Sequence, residues 1–170
     1  VQGQWETYKS TFITSTGTET TSAFSLLVNE FNRDYELAKN AKLGIPIGKQ
    51  SLEIQMPEYI EARYSGISLD LLKGNLEALR NLYTGGSGVG FDDYLEHLDR
   101  GALNSTIRTN FNTIISLIDG FSGTLEQEMQ TNVSGLNELY VELQGQVVNL
   151  KTDMTSAFGI LITYQDNDGD

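Results

Sequence analysis

The chain has 170 residues, 39% of them hydrophobic and spread along its whole length, with 23 acidic against 11 basic side chains and a formal net charge of -12. That is enough chain for one domain with a core of its own and too much apolar content for a disordered acidic tail. The charge argues against a nucleic-acid backbone or anionic lipid as partner, and the lack of cysteine excludes a disulfide scaffold, a zinc–thiolate site, an iron–sulfur cluster and a thiol nucleophile.

The first element is a short helix in which Trp5, Tyr8 and Phe12 share one face. The Thr/Ser/Gly stretch from Thr14 to Thr21 is a loop that ends in good N-cap residues. A second helix runs from Ser22 to Ala41, with Phe24, Leu27, Val28, Phe31, Tyr35 and Ala38 as its apolar stripe. Gly44 and Pro46 stop it. From Leu43 to Gly66 the helical period is absent. Leu52, Ile54 and Met56 alternate with polar residues, which predicts an extended segment in a long loop, and loops of that length tend to be functional.

Ser68 reads as the N-cap of a third helix, Leu69 to Thr84, with Asp70 in the first turn and Gly85 and Gly86 as the stop. A short helix follows around Phe91 to Leu98. The fourth long helix spans Leu103 to Ile118, with Ile107, Phe111, Ile114, Ile115 and Ile118 inward. The fifth is the longest, Thr124 to Ala157, where Leu125, Met129, Val133, Leu136, Tyr140, Leu143, Val147, Leu150 and Met154 step by three and four. Ile160 to Tyr164 is β-branched and aromatic and is expected to lie extended against the bundle, ahead of an acidic terminus. Residues 1–170 therefore predict a single all-α domain, an up-down helical bundle of the four-helix kind, with an extended loop between the second and third helices and an extended C-terminal tail.

Several constellations resemble chemistry and fall short of it. His97 is the only histidine and brings one ligand where a metal needs several, with Asp92 or Asp93 one turn away. No Glu-x-x-His pair suited to a di-iron bundle is present, and Glu138 and Glu142 read as a solvated pair. The terminus Asp166-Asn167-Asp168-Gly169-Asp170 lacks the glycine spacing and closing glutamate of a calcium loop. Gly85 to Gly90 follows a helix instead of a strand and carries no nucleotide signature. No catalytic residue is assigned. The cluster Glu61, Arg63, Tyr64, Ser65, Ser68 and Asp70 gathers an acid, a base, a phenol and hydroxyls beside a helix start. It is either a ligand or interface site or a capping network with one ion pair.

Five stretches, in order, carry a family resemblance: Lys42-Leu43-Gly44-Ile45-Pro46-Ile47-Gly48-Lys49, then Glu61-Ala62-Arg63-Tyr64-Ser65-Gly66-Ile67-Ser68, Leu82-Tyr83-Thr84-Gly85-Gly86, Gly90-Phe91-Asp92-Asp93-Tyr94-Leu95, and the ending from Ile162 to Asp170. They resemble the C-terminal half of imelysin-like proteins of the Bacteroides type. The resemblance implies a helical protein of two bundle-like domains, located in the periplasm or at the outer membrane or cell surface, often as a lipoprotein, and linked to iron uptake. It also implies a family classed among the metallopeptidases, with a Gly-x-His-x-x-Glu signature in the N-terminal half. This chain lacks that motif, since Arg100 stands three residues after His97.

The expectation is a noncatalytic half of an iron-linked or metal- or ligand-binding protein. The alternatives are half of a metallopeptidase whose His and Glu lie in the N-terminal portion, and a structural helical module that binds a protein. No cofactor is expected in this chain, and iron or another divalent metal is expected in the full-length protein. The expected partners are that N-terminal half and, through exposed apolar surface, a second copy. No nucleic acid is expected, and membrane contact only through an upstream lipid anchor.

Overall fold

A computed structural model describes residues 2–164. Among them there is no strand, and all the helices but the first pack around one core. The elements are α1 (Gln2–Thr14), α2 (Ala23–Lys39), α3 (Ser68–Tyr83), α4 (Phe91–His97), α5 (Gly101–Asp119), α6 (Leu125–Thr131), α7 (Val133–Val147) and α8 (Thr155–Phe158). π-helical turns extend α2 through Asn40–Gly44 and join α7 to α8 through Val148–Met154.

Helices α2, α3, α5 and α7 form the bundle, each packing on the next and α7 closing on α2. The side-chain ties give the directions. Lys73 reaches Asp119, Arg80 reaches Asn112 and Tyr83 reaches Asn104, so α3 and α5 are antiparallel. Along α2, Asn29, Glu36 and Lys39 meet Leu161, Lys151 and Gln144 in turn, so the last helical arm runs back against α2.

The stripes predicted for α2 and α5 are the observed ones. Val28, Phe31, Tyr35, Ala38, Ile107, Phe111, Ile114, Ile115 and Ile118 are buried, while Phe24 and Leu27 pack at the edge of the core. Ser22 caps α2 by accepting from the Ser25 N–H. Two buried tyrosines close the polar accounts of the core: Tyr35 donates to the Leu143 carbonyl at 3.1 Å and Tyr83 to Asn104 Oδ1 at 2.8 Å. Burial raises the pKa of both phenols, so they remain donors.

Three expectations need correction. The long fifth helix is broken at Asn132, whose backbone leaves the helical region and whose side chain caps α7 by accepting from the Gly135 N–H. As a result Val133 faces solvent instead of the core. Ser68 is the first residue of α3 and not its cap; its hydroxyl donates to the Glu61 carbonyl. The loop between α2 and α3 is a series of turns with two 3-10 turns, Pro57–Tyr59 and Arg63–Ser65, in place of an extended run. Leu52 and Glu53 adopt positive φ (53° and 63°), which ends any strand alternation there. Gly48, at φ 93°, sits where a Cβ would fall 2.7 Å from the Ile54 carbonyl oxygen, so the turn requires glycine. The predicted first helix is present as α1, and its aromatic face lies outside the core, with no buried residue.

The tail from Ile160 to Tyr164 is non-helical and docked, as its composition suggests. Buried Asn29 donates to the Leu161 carbonyl (3.0 Å) and accepts from the Thr163 N–H (2.7 Å). The acidic terminus, residues 165–170, lies outside the described residues.

Candidate functional site

The cluster predicted beside the third helix is held by three anchors. Gly66 and Ala62 both take left-handed backbone conformations, and the single 3-10 turn between them pushes residues 63–65 away from the body. Ser65 donates to the Ala62 carbonyl at 2.9 Å and tightens that turn. Arg63 then reaches back to α6 as a fork, donating from Nε to Glu126 Oε2 at 3.0 Å and from its terminal nitrogen to Oε1. That hydrogen bond holds the Glu126 carboxyl below its usual pKa and raises the Arg63 guanidinium.

Glu61 pairs with Lys42 at the end of the π-helical turn after α2. One α6 turn beyond Glu126, Gln55 donates to the Met129 carbonyl at 2.9 Å. The loop is thus fastened to α6 at two consecutive turns and to α2 at a third point. α6 can take this position because Asn132 separates it from α7.

These anchors place the six predicted residues unequally. Arg63, Glu61 and Ser68 are engaged in holding the loop. Ser65 faces solvent, and Tyr64 is 100% exposed. Asp70 is exposed in the first turn of α3. Glu58, Ile60, Ala62, Arg63, Tyr64 and Ser65 line an open concavity of about 460 Å³. Both sequence-based readings are therefore present together: an ion-paired network holds the segment, and the segment presents a phenol and a hydroxyl.

His97 sits exposed at the end of α4, with its ring stacked on Tyr94 (centroids 6.4 Å apart, 17° between planes). The two aspartates one turn earlier are turned to other work. Asp93 accepts from the Gly90 N–H at 3.0 Å, and buried Asp92 faces Arg108. Among the described residues, no three His, Asp or Glu side chains are grouped to hold a metal ion. The described donors do not make up a ligand set for the metal that the family resemblance implies for a longer protein. Nor is any helix of the described residues long and apolar enough to cross a membrane.

Three structural residues lay outside the sequence-based set. Thr124 and Gln127 form a reciprocal capping box at the start of α6, a pattern legible as Thr-x-x-Gln. Glu128 is buried and accepts from the Ser122 and Gly123 N–H groups and from the Asn132 amide.

Compared with known proteins, the chain matches the family model described as Imelysin over residues 1–154. No curated protein and no solved structure matches it.

Proposed function

Since the chain belongs to the imelysin family, we propose that it is the noncatalytic helical half of an extracytoplasmic protein that serves bacterial iron uptake, and that it supplies a contact surface instead of reactive groups. The observation that carries this reading is the division of labour at residues 61–70. Glu61 and Arg63 are engaged in fastening the loop to α2 and α6, while Tyr64 and Ser65 are held outward. A surface built this way is pre-organised for binding. The Ser65 hydroxyl donates to the carbonyl of its own turn instead of to a general base, which supports a contact role over a nucleophilic one.

The test is growth of the encoding bacterium under iron limitation, with the native gene replaced by Tyr64→Ala or by the double variant Tyr64→Ala/Ser65→Ala. Both residues are exposed, so the cooperative melt is expected to stay unchanged while iron-limited growth falls. Normal growth with either variant overturns the reading. Calorimetry of this chain with iron or zinc is expected to show no sub-micromolar site, and one tight site per chain would place reactive metal chemistry in this half.

A further inference from the structure

The loop between α2 and α3 exposes large apolar side chains at five places within sixteen residues: Leu52, Ile54, Tyr59, Tyr64 and Ile67. Leu52 is 94% exposed and Tyr64 fully so. A second group, Trp5, Tyr8 and Ile13, lies on α1, and the remaining exposed apolar residues are scattered singly, which is ordinary surface. Concentration in one loop is the pattern of an interaction surface.

The loop is also fixed in shape. It is tied at Lys42–Glu61, Gln55–Met129 and Arg63–Glu126, and it holds Leu52, Glu53 and Ala62 at positive φ, a conformation that non-glycine residues adopt only when their surroundings impose it. A partner would therefore meet a rigid surface, and little ordering would oppose binding.

The charges select the partner. Every cation on this loop and its anchors is already paired: Lys42 with Glu61, Lys49 with Glu53, Arg63 with Glu126. Glu58 has no ion pair among the described residues, and it shares the concavity with the Tyr64 ring. A carboxylate beside an open aromatic face suits a cation carried on an apolar stem. The body as a whole carries a formal charge of -12. A second copy would set two strongly acidic bodies together, and anionic lipid would be repelled.

We propose that this loop docks a protein segment that presents a lysine or arginine between apolar side chains, with the cation held by Glu58 and Tyr64 in the concavity they share and the apolar neighbours meeting exposed apolar side chains of the same loop. The proposal rests on the contact role given above to residues 61–70 and specifies what that contact recognises.

The test titrates the whole chain with a short capped peptide of alternating leucine and arginine, beside the same peptide with glutamate for arginine. Backbone amide shifts and calorimetry are the readouts. The basic peptide is expected to shift signals of residues 52–67, and the acidic one to shift none. Glu58→Gln and Tyr64→Ala should each weaken binding about fivefold or more. Asp153→Asn, which removes the same charge from an exposed position in the π-helical turn after α7, should change it less than about twofold.

Equal weakening by Asp153→Asn would mean diffuse charge attraction and would overturn the proposal. So would shifts confined to the groove between Phe12 and Tyr94, binding of both peptides alike, or no binding. Peptide binding together with normal iron-limited growth of the Tyr64→Ala strain would retain the docking face and remove the iron-uptake role. Impaired growth without peptide binding would do the reverse.

Discussion

Glu128 shows how much one side chain carries in the turn between α5 and α6. One carboxylate oxygen accepts from Gly123 N–H at 2.8 Å and Ser122 N–H at 3.1 Å, and the other accepts from the Asn132 amide at 3.1 Å. The Gly123 bond, followed by the Asn132 bond, holds the carboxyl below its usual pKa. Glu128→Ala removes the acceptor of those donors in a half-buried turn that water can partly reach, and is expected to cost about 1 kcal/mol in urea unfolding. The pH dependence has a definite sign. With the folded pKa depressed, the unfolded chain takes up the proton first as acid is added. The stabilisation is therefore complete above the unfolded value and disappears as pH falls through the folded one. The stability difference between the wild type and Glu128→Gln should be largest near neutral pH and shrink as pH falls below about 4.5. A difference that stays constant from neutral to acid pH would mean that the charge is not what matters.

At the scale of elements, the position of α6 depends on Asn132. Its backbone leaves the helical region at φ -141° and ψ 50°, and its side chain caps α7 through the Gly135 N–H. α6 can then present Glu126 and the Met129 carbonyl to the loop as its two anchor points. Replacing Asn132 with Ala removes the cap and one partner of Glu128, at an expected cost of about 1–2 kcal/mol. If the break matters as argued, proteolysis between residues 50 and 66 should also quicken under native conditions. Unchanged proteolysis would show that the loop does not depend on the break.

This element also marks the limit of what the sequence discloses. The stripes of α2 and α5 were legible because a 3.6-residue period survives wherever one face is buried. So was the docked tail, since Ile160 to Tyr164 combines β-branched and aromatic residues. The break at Asn132 was hidden because Leu125, Met129, Leu136, Leu139 and Leu143 are buried on both sides of it, and the apolar steps run on across the joint. Asn132 with Gly135 after it was the signal that a cap stood there. In the loop, the alternation of Leu52, Ile54 and Met56 pointed to a strand, but Leu52 and Glu53 take positive φ in a tight turn in which the Ser51 and Glu53 N–H groups both donate to the Gly48 carbonyl, a pairing that the apolar alternation does not encode. The polar composition of residues 61–70 identified the segment, whereas its partners Glu126 and Lys42 come from elements distant in sequence.

For the molecule as a whole, α1 stands apart from the cooperative unit. None of its residues is buried, and its tie to the bundle is the hydroxyl of Ser15 in the following loop, which accepts from the Ala23 N–H at 3.0 Å. Trp5 and Phe12 meet edge to face at 5.4 Å, so the aromatic face of α1 packs chiefly on itself. The chain has a single tryptophan, and Trp5 is 43% exposed on that helix. A helix of this length with no buried residue is marginal in water. Tryptophan emission should therefore be red-shifted in the native state and change little across urea denaturation. The circular dichroism of the bundle and the near-ultraviolet signal of buried Tyr35 and Tyr83 should instead change together in one transition. Both signals should be independent of protein concentration. A blue-shifted emission that is lost cooperatively would show α1 packed on a body, and if that blue shift grew with concentration, the body would be a second copy of the chain.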